Sequence, residues 1–214
     1  MQNIDWTTME KLPLLDRAIA FAVMKHSGQR RKGADLPYIT HVVEAMEIVS
    51  RMTDDEELRA AAVLHDTLED TGTTKEELVQ YFGSRVADLV AAESENKRAD
   101  QRAEDTWMTR KQEMISHLAE GTTEARMLAL GDKLSNIRAM YRDYQVIGEE
   151  LWKRFNQKNP VCQGMYYGLL ANVFAADDQL RETQAFREYM ELCSGLFGRE
   201  YDGDGKLIKD EETT

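Results

Sequence analysis

Residues Ala60 to Thr71 read AAAVLHDTLEDT, and this stretch limits the fold more than any other part of the chain. An apolar run, Ala60 to Leu64, leads directly into His65-Asp66, with Glu69-Asp70 one turn later. On a single helix, His65 and Glu69, like Asp66 and Asp70, are i,i+4 neighbours, so four ionisable groups share adjacent faces of about one turn. The apolar run demands burial, and carboxylates carried in with it are costly unless a cation or hydrogen bonds compensate. A divalent metal ion is the simplest compensation. Such a chain needs further ligands elsewhere, on elements that can be packed against this one.

The whole chain of 214 residues is consistent with a single all-α domain. Apolar residues recur at helical spacing from Leu12 through Val23, and a first helix is expected to end near His26-Ser27-Gly28. A loop, GQRRKGADLP, closes at Pro37, which opens a second helix from about Tyr38 to Met52 with His41 in its first turn. Thr53-Asp54-Asp55 caps a third helix that ends in the HD stretch, and Gly72 breaks it. Thr73 or Thr74 with Glu76-Glu77 reads as the N-terminal cap of a short helix reaching Phe82, and Gly83-Ser84 restarts another through about Ala92. Glu93 to Asp105 is almost wholly polar and reads as a mobile surface loop. Helices are then expected over Glu104–Ala119, from the cap Thr122-Thr123-Glu124 through the region around Asp132, over Gly148–Phe155, from Asn159-Pro160 through Ala175, and, after a polar break at 177–181, to about Leu196. The apolar positions around Asp132 are expected to form one stripe. No stretch shows strand alternation bounded by hairpin turns. The expected architecture is an all-α helical bundle, with a domain over 1–197 and a polar tail over 198–214. The tail's DGDGKLIKDEE has only a faint likeness to a calcium loop, lacking an oxygen ligand at the fifth position and a glutamate at the twelfth.

The formal charge of −12 argues against an extended nucleic-acid surface, which selects basic faces. Positive charge is concentrated instead in Arg30-Arg31-Lys32, a cluster suited to a small phosphorylated ligand. No apolar run is long enough to span a bilayer and no signal peptide is evident, so a cytoplasmic location with no membrane partner is the default expectation. Cys162 and Cys193 stand far apart, outside any CxxC spacing, and read as free core thiols. A homo-oligomer is compatible with the sequence: the Met, Phe and Leu residues of the C-terminal helix either cap the core or make a dimer face.

His41, His65, Asp66 and Asp132 fall in three separate helices, each embedded in apolar sequence. Two imidazoles and two carboxylates suit Mn²⁺, Fe²⁺, Zn²⁺ or another first-row ion, with positions left for water and substrate. Singly, each residue has a plainer reading: His41 as a surface histidine at a helix start, Asp132 as a carboxylate bonded to a backbone amide, Glu69-Asp70 as a solvated helix end.

Jointly, the order H, HD, D resembles the HD-domain metal-dependent phosphohydrolases, an all-α superfamily. The flanking stretches HSGQRRKGADLPYITH (26–41), AAVLHDTLEDTGTTKEELVQYFG (61–83) and LALGDKLSNIRAM (128–140) resemble one branch closely, the hydrolase domain of the RelA/SpoT homologues, including its small stand-alone hydrolases. That resemblance covers roughly residues 14 to 175. It implies removal of pyrophosphate from the 3′ position of guanosine tetra- and pentaphosphate, releasing GDP or GTP, usually with Mn²⁺. It further implies metal ligation by His41, His65, Asp66 and Asp132, and handling of the attacking water by Glu69 and Asp70. Substrate contacts are implied for Arg31 and Lys32 beside the base, and for Asn136 and Tyr166 near the ribose. A core aromatic is the alternative for Tyr166, and Lys133 and Arg138 are left between the site and outward salt bridges.

The chain departs from the branch's pattern at Val42 (often proline), around Ala34-Asp35-Leu36, at Ala139 (often threonine) and in the loop 93–105. These positions bear on which nucleotide is accepted. Within the same chemistry the substrate could be another 3′- or 2′-phosphorylated nucleotide, such as an adenosine alarmone, NADPH or an RNA end. Outside it, the chain could be a non-catalytic nucleotide sensor, or an antitoxin-like partner of an alarmone synthetase.

Overall fold

The structure, a computed structural model, describes residues 9–94, 98 and 100–198; the tail with its calcium-like motif lies outside them. Among the described residues there are helices, turns and one isolated bridge, Arg30 with Pro37, but no strand. The domain is all-α and contains two compact units, one up to Ser94 and one from Glu95.

The first unit is built round α3. Its helices are α1 (Leu14–Lys25), α2 (Ile39–Ser50), α3 (Glu56–Leu64), α4 (Thr67–Asp70), α5 (Lys75–Phe82) and α6 (Ser84–Glu93). α3 packs against α1, α2 and α6. Its run from Ala60 to Leu64 is fully buried, because three consecutive alanines let neighbouring helices approach on every side. Each large member of that core, such as Leu58 or Leu64, contributes about 1.5–3 kcal/mol by leaving water. Asp55 starts the helix: its Oδ1 accepts from the amides of Glu57 and Leu58 at 3.0 and 3.2 Å. The same carboxylate receives Arg85 of α6 in a two-pronged pair, and that guanidinium holds the Asp55 carboxyl below its ordinary range. At α5 the expected cap is realised by Thr74, which accepts from the Glu77 amide. The Glu77 carboxylate itself turns to Lys25 of α1 at 2.8 Å.

The second unit holds α7 (Ala103–Glu120), α8 (Thr123–Ile147), a 3₁₀ segment Gly148–Arg154, α9 (Pro160–Ala175), α10 (Asp178–Arg181) and α11 (Gln184–Phe197). α8 packs on α11 and on the 3₁₀ segment, while α9 lies against α7 and α11. Thr122 caps α8, and Asn159 with Pro160 opens α9 as expected. Phe186, Tyr189, Cys193 and Leu196 of α11 are buried in this unit's core, so the apolar side of the C-terminal helix closes that core. The Tyr189 hydroxyl, itself buried, donates to the carbonyl of Tyr167 at 2.9 Å. Both cysteines are free, as expected, but only Cys193 is a core thiol, and burial pushes it up; Cys162 is half-buried.

Four expectations need correction. The HD stretch is not one helix: α3 stops at Leu64 and α4 begins at Thr67, with Asp66 at φ −87°, ψ −3° between them. The i,i+4 relation nevertheless survives the break, since the Asp70 amide donates to the Asp66 carbonyl at 2.8 Å. Glu93 is not the first residue of a surface loop; it ends α6 and is buried, because Val86, Val90 and Glu93 fall on one inward face. Of that loop, residues 95–97 and 99 lie outside the described residues. α8 has no single apolar stripe: every residue from Met127 to Ser135 is buried. The break at 177–181 contains α10, and Asp177 is buried as its cap because its oxygens accept from the Gln179 amide, the Thr123 hydroxyl and Arg126.

Candidate metal centre and nucleotide site

In the first unit, α3 delivers His65 and Asp66 at its end and α2 delivers His41 from its first turn. His41 and His65 are buried, with ring centroids 5.2 Å apart and nearly perpendicular. Both turn Nε2 toward one carboxylate oxygen. Asp66 Oδ2 lies 3.1 Å from His65 Nε2 and 3.5 Å from His41 Nε2.

The tautomer of His65 follows from its other nitrogen. Nδ1 is 2.8 Å from the Ala62 carbonyl, which can only accept, so Nδ1 carries the hydrogen. In the neutral ring Nε2 then presents a lone pair, and it faces a carboxylate oxygen at 3.1 Å. Two acceptors at that distance repel unless a proton or a cation lies between them. A buried, pre-oriented imidazole fixed by a carbonyl on its far side is the usual dressing of a metal-binding histidine. The residues therefore fit a divalent ion. With both imidazoles protonated instead, burial would still push the Asp66 carboxyl up, but the charge and hydrogen bonds of His65 and His41 would outweigh it and hold it well below the usual carboxylate range.

The acidic pair sits on the next turn. Glu69 and Asp70, both half-buried, belong to α4. Tyr38, at the residue before α2, donates its hydroxyl to Asp66 Oδ2 at 2.6 Å and lies 3.1 Å from Asp70 Oδ2. Sequence reasoning did not single out Tyr38. Its signal was its place three residues before His41, one helical turn away on the same face.

The basic loop folds back on itself. The Arg31 amide donates to the Leu36 carbonyl and the Tyr38 amide to the Gln29 carbonyl, both at 3.0 Å. Gly33 takes φ +76° at the tip, a backbone setting that a Cβ would strain. Arg31 places its guanidinium 5.7 Å from the centre of the Tyr38 ring, and Lys32 is exposed. Arg30 pairs with Asp35 at 3.3 Å in the open, where a salt bridge adds little.

The second unit carries the remaining candidates. Asp132 is buried in α8, with Lys133 against its Oδ2 and the Asn136 amide donating to its Oδ1 at 2.6 Å. Lys133 therefore turns inward, whereas Arg138 makes a two-pronged pair with Glu188 of α11 at 2.6 Å. Asn136 meets a carboxylate one turn back on its own helix. Tyr166 is a buried aromatic of α9, edge-on to Trp107 and Tyr167, with the Lys111 ammonium 4.8 Å from its ring centre.

The HD domain family matches residues 18–158. The chain belongs to the HD-domain family. Among curated relatives, the zebrafish (Danio rerio) protein named guanosine-3′,5′-bis(diphosphate) 3′-pyrophosphohydrolase MESH1 is 36% identical over 132 residues, covering 60% of this chain and 70% of that one. An Aquifex aeolicus protein of the same enzymatic name is 37% identical over 127 residues, 59% of this chain but 18% of the longer relative. Among solved structures, a metazoan SpoT ortholog described as hydrolysing ppGpp superposes with a TM-score of 0.63 at 25% identity, over 85% of this chain and 94% of that one. The resemblance expected of the sequence, to stand-alone alarmone hydrolases on an HD fold, is borne out. HD-domain hydrolases imply a divalent metal, and the buried His41, His65 and Asp132 are available in this chain to offer ligands. Among the described residues no helix is long and apolar enough to cross a membrane.

Proposed function

We propose that this HD-domain protein hydrolyses the 3′-pyrophosphate of guanosine tetra- or pentaphosphate, releasing pyrophosphate and GDP or GTP, with Mn²⁺ as its ion. The observation that supports the chemistry is the convergence of His41 Nε2 and His65 Nε2 on Asp66 Oδ2, at 3.5 and 3.1 Å, an arrangement that a bound cation or a proton satisfies. The substrate is supported by the relatives named for that reaction.

His41, His65, Asp66 and Asp132 would hold the ion, a mixed imidazole and carboxylate set that suits Mn²⁺. When bound, the ion supplies Lewis acidity toward water and the phosphoryl oxygens. Glu69 and Asp70, on the turn after Asp66, take up the proton of the attacking water as its oxygen joins phosphorus. The bond from that phosphorus to the ribose 3′ oxygen breaks, and the 3′ oxygen leaves as a hydroxyl by taking up a proton equivalent to the one the acidic pair received. Arg31 and Lys32 present stacking surface and positive charge to base and phosphate. Asn136 and Tyr166 flank the ribose in this reading. The overall acidity of the chain makes the basic loop its local attraction for a polyanionic nucleotide.

The test is to strip the protein with chelator, reload it with Mn²⁺, add guanosine tetraphosphate and follow release of pyrophosphate and GDP. Manganese-dependent release of both is expected. Tight nucleotide binding without turnover would instead make the chain a sensor. Neither binding nor turnover would redirect the search to other 3′- or 2′-phosphorylated nucleotides.

A further inference from the structure

We infer that Tyr38 is a positioning residue that fastens the acidic turn Asp66–Asp70 to the basic loop, with Gln29 and His26 as its support. The inference rests on the metal-centre reading above and goes beyond it in assigning three residues outside the ligand set and the acidic pair.

The phenol has one hydrogen to give and two carboxylate oxygens to serve, Asp66 Oδ2 at 2.6 Å and Asp70 Oδ2 at 3.1 Å. It thus bridges a candidate ligand and a member of the acidic pair. The ring is held on several sides. It stacks on the buried His26 at 5.0 Å and 30°, meets His41 edge-on at 5.6 Å, and carries the Arg31 guanidinium at 5.7 Å. A ring so confined cannot swing its hydroxyl away from the two carboxylates without leaving these contacts.

A second clamp runs parallel to the first. Gln29 accepts at Oε1 from His26 Nδ1 at 2.8 Å, and its Nε2 donates to the Asp70 backbone carbonyl at 2.8 Å. A glutamine between an imidazole N–H and a carbonyl has its amide orientation defined, because only the oxygen can accept and only the nitrogen can donate. The Gln29 carbonyl meanwhile takes the Tyr38 amide. The turn that carries Asp66 and Asp70 is therefore tied to the loop 29–38 at both a side chain and a backbone position. A nucleotide that engages Arg31 acts on a loop whose next contact is the carboxylate pair.

Tyr38→Phe keeps the ring and its stacks and removes only the shared hydroxyl. Groups that orient ligands in this manner are worth on the order of ten- to a hundredfold in metal affinity or turnover. In calorimetric titration of chelator-stripped protein, Y38F should bind Mn²⁺ about tenfold more weakly than wild type. With guanosine tetraphosphate at saturating Mn²⁺, kcat should fall about tenfold while KM stays within about twofold. Gln29→Leu, which leaves every ring contact of Tyr38 in place, should lower kcat by a smaller factor with Mn²⁺ affinity unchanged. A simple structural role would lower the melting temperature of either variant and leave these ratios alone.

Wild-type Mn²⁺ affinity and kcat in Y38F would overturn the inference, as would a variant whose melting temperature alone moves. Should wild type bind Mn²⁺ without hydrolysing the nucleotide, the substrate reading fails while the affinity comparison still decides the role of Tyr38. Wild type that binds no Mn²⁺ would overturn both.

Discussion

Two aspartates of this chain, the half-buried Asp66 and the buried Asp177, have opposite surroundings. Asp177 accepts from the Thr123 hydroxyl at 2.8 Å, from Arg126 at 3.0 Å and from the Gln179 amide at 3.0 Å. A permanent cation and two neutral donors meet its charge and its lone pairs, and its carboxyl stays below the ordinary range despite burial that pushes it up. Asp66 faces two imidazole nitrogens and a phenol whose one hydrogen is shared with Asp70. Its partners can be proton donors or metal co-ligands, depending on what is bound. Burial of a carboxylate therefore does not distinguish a structural group from a reactive one; the inventory of donors around it does.

The largest effect expected on this contrast comes from removing charge at the two positions. Asp66→Asn should remove bound Mn²⁺ and lower turnover by on the order of a hundred- to a thousandfold, measured by metal analysis and pyrophosphate release, and Asp132→Ala should do the same. Asp177→Asn should leave both readouts within about twofold. If it abolished turnover, the contrast would be broken, and full activity with normal metal content in Asp132→Ala would take that residue out of the ligand set. Glu69→Gln comes next: metal should remain bound while turnover falls by about a hundredfold, since a positioned proton acceptor is worth that much. An unchanged rate would move the proton to Asp70.

On stability the order reverses. Asp177→Asn leaves Arg126 part-buried without its carboxylate and should cost about 2–3 kcal/mol in denaturant unfolding. Because the folded-state value of Asp177 lies below the unfolded value near 3.8, its contribution is fully present above about pH 4. That contribution is lost as pH falls through the lower folded value, so the stability of wild type should decline more steeply on acidification than that of D177N. The smallest effect belongs to Arg138→Gln, whose partly exposed pair with Glu188 should be worth less than about 1 kcal/mol.

How much of this was legible follows the range of the forces involved. Helix caps at Thr74, Thr122 and Asn159-Pro160 are local, decided within about four residues, and they stand where their sequence signatures put them. The HD stretch was legible for the same reason: an apolar run that must be buried drags its ionisable end inward. The inward turn of Lys133 was not, because a lysine beside a buried aspartate and a lysine in solvent share one local sequence. The burial of Asp177 depended on Thr123 and Arg126, some fifty residues earlier in the chain.

By itself, then, the sequence determined the all-α class, through helical spacing without strand alternation, and the family, through the resemblance of its flanking stretches, and it nominated the side chains proposed for metal and acid–base chemistry. Only the tertiary structure decided that Tyr38 reaches Asp66 across 28 positions, and that Gln29 holds the Asp70 carbonyl across 41. A hydrogen bond is made or lost within a few tenths of an ångström, and no spacing rule along the chain specifies a distance that several packed helices set together.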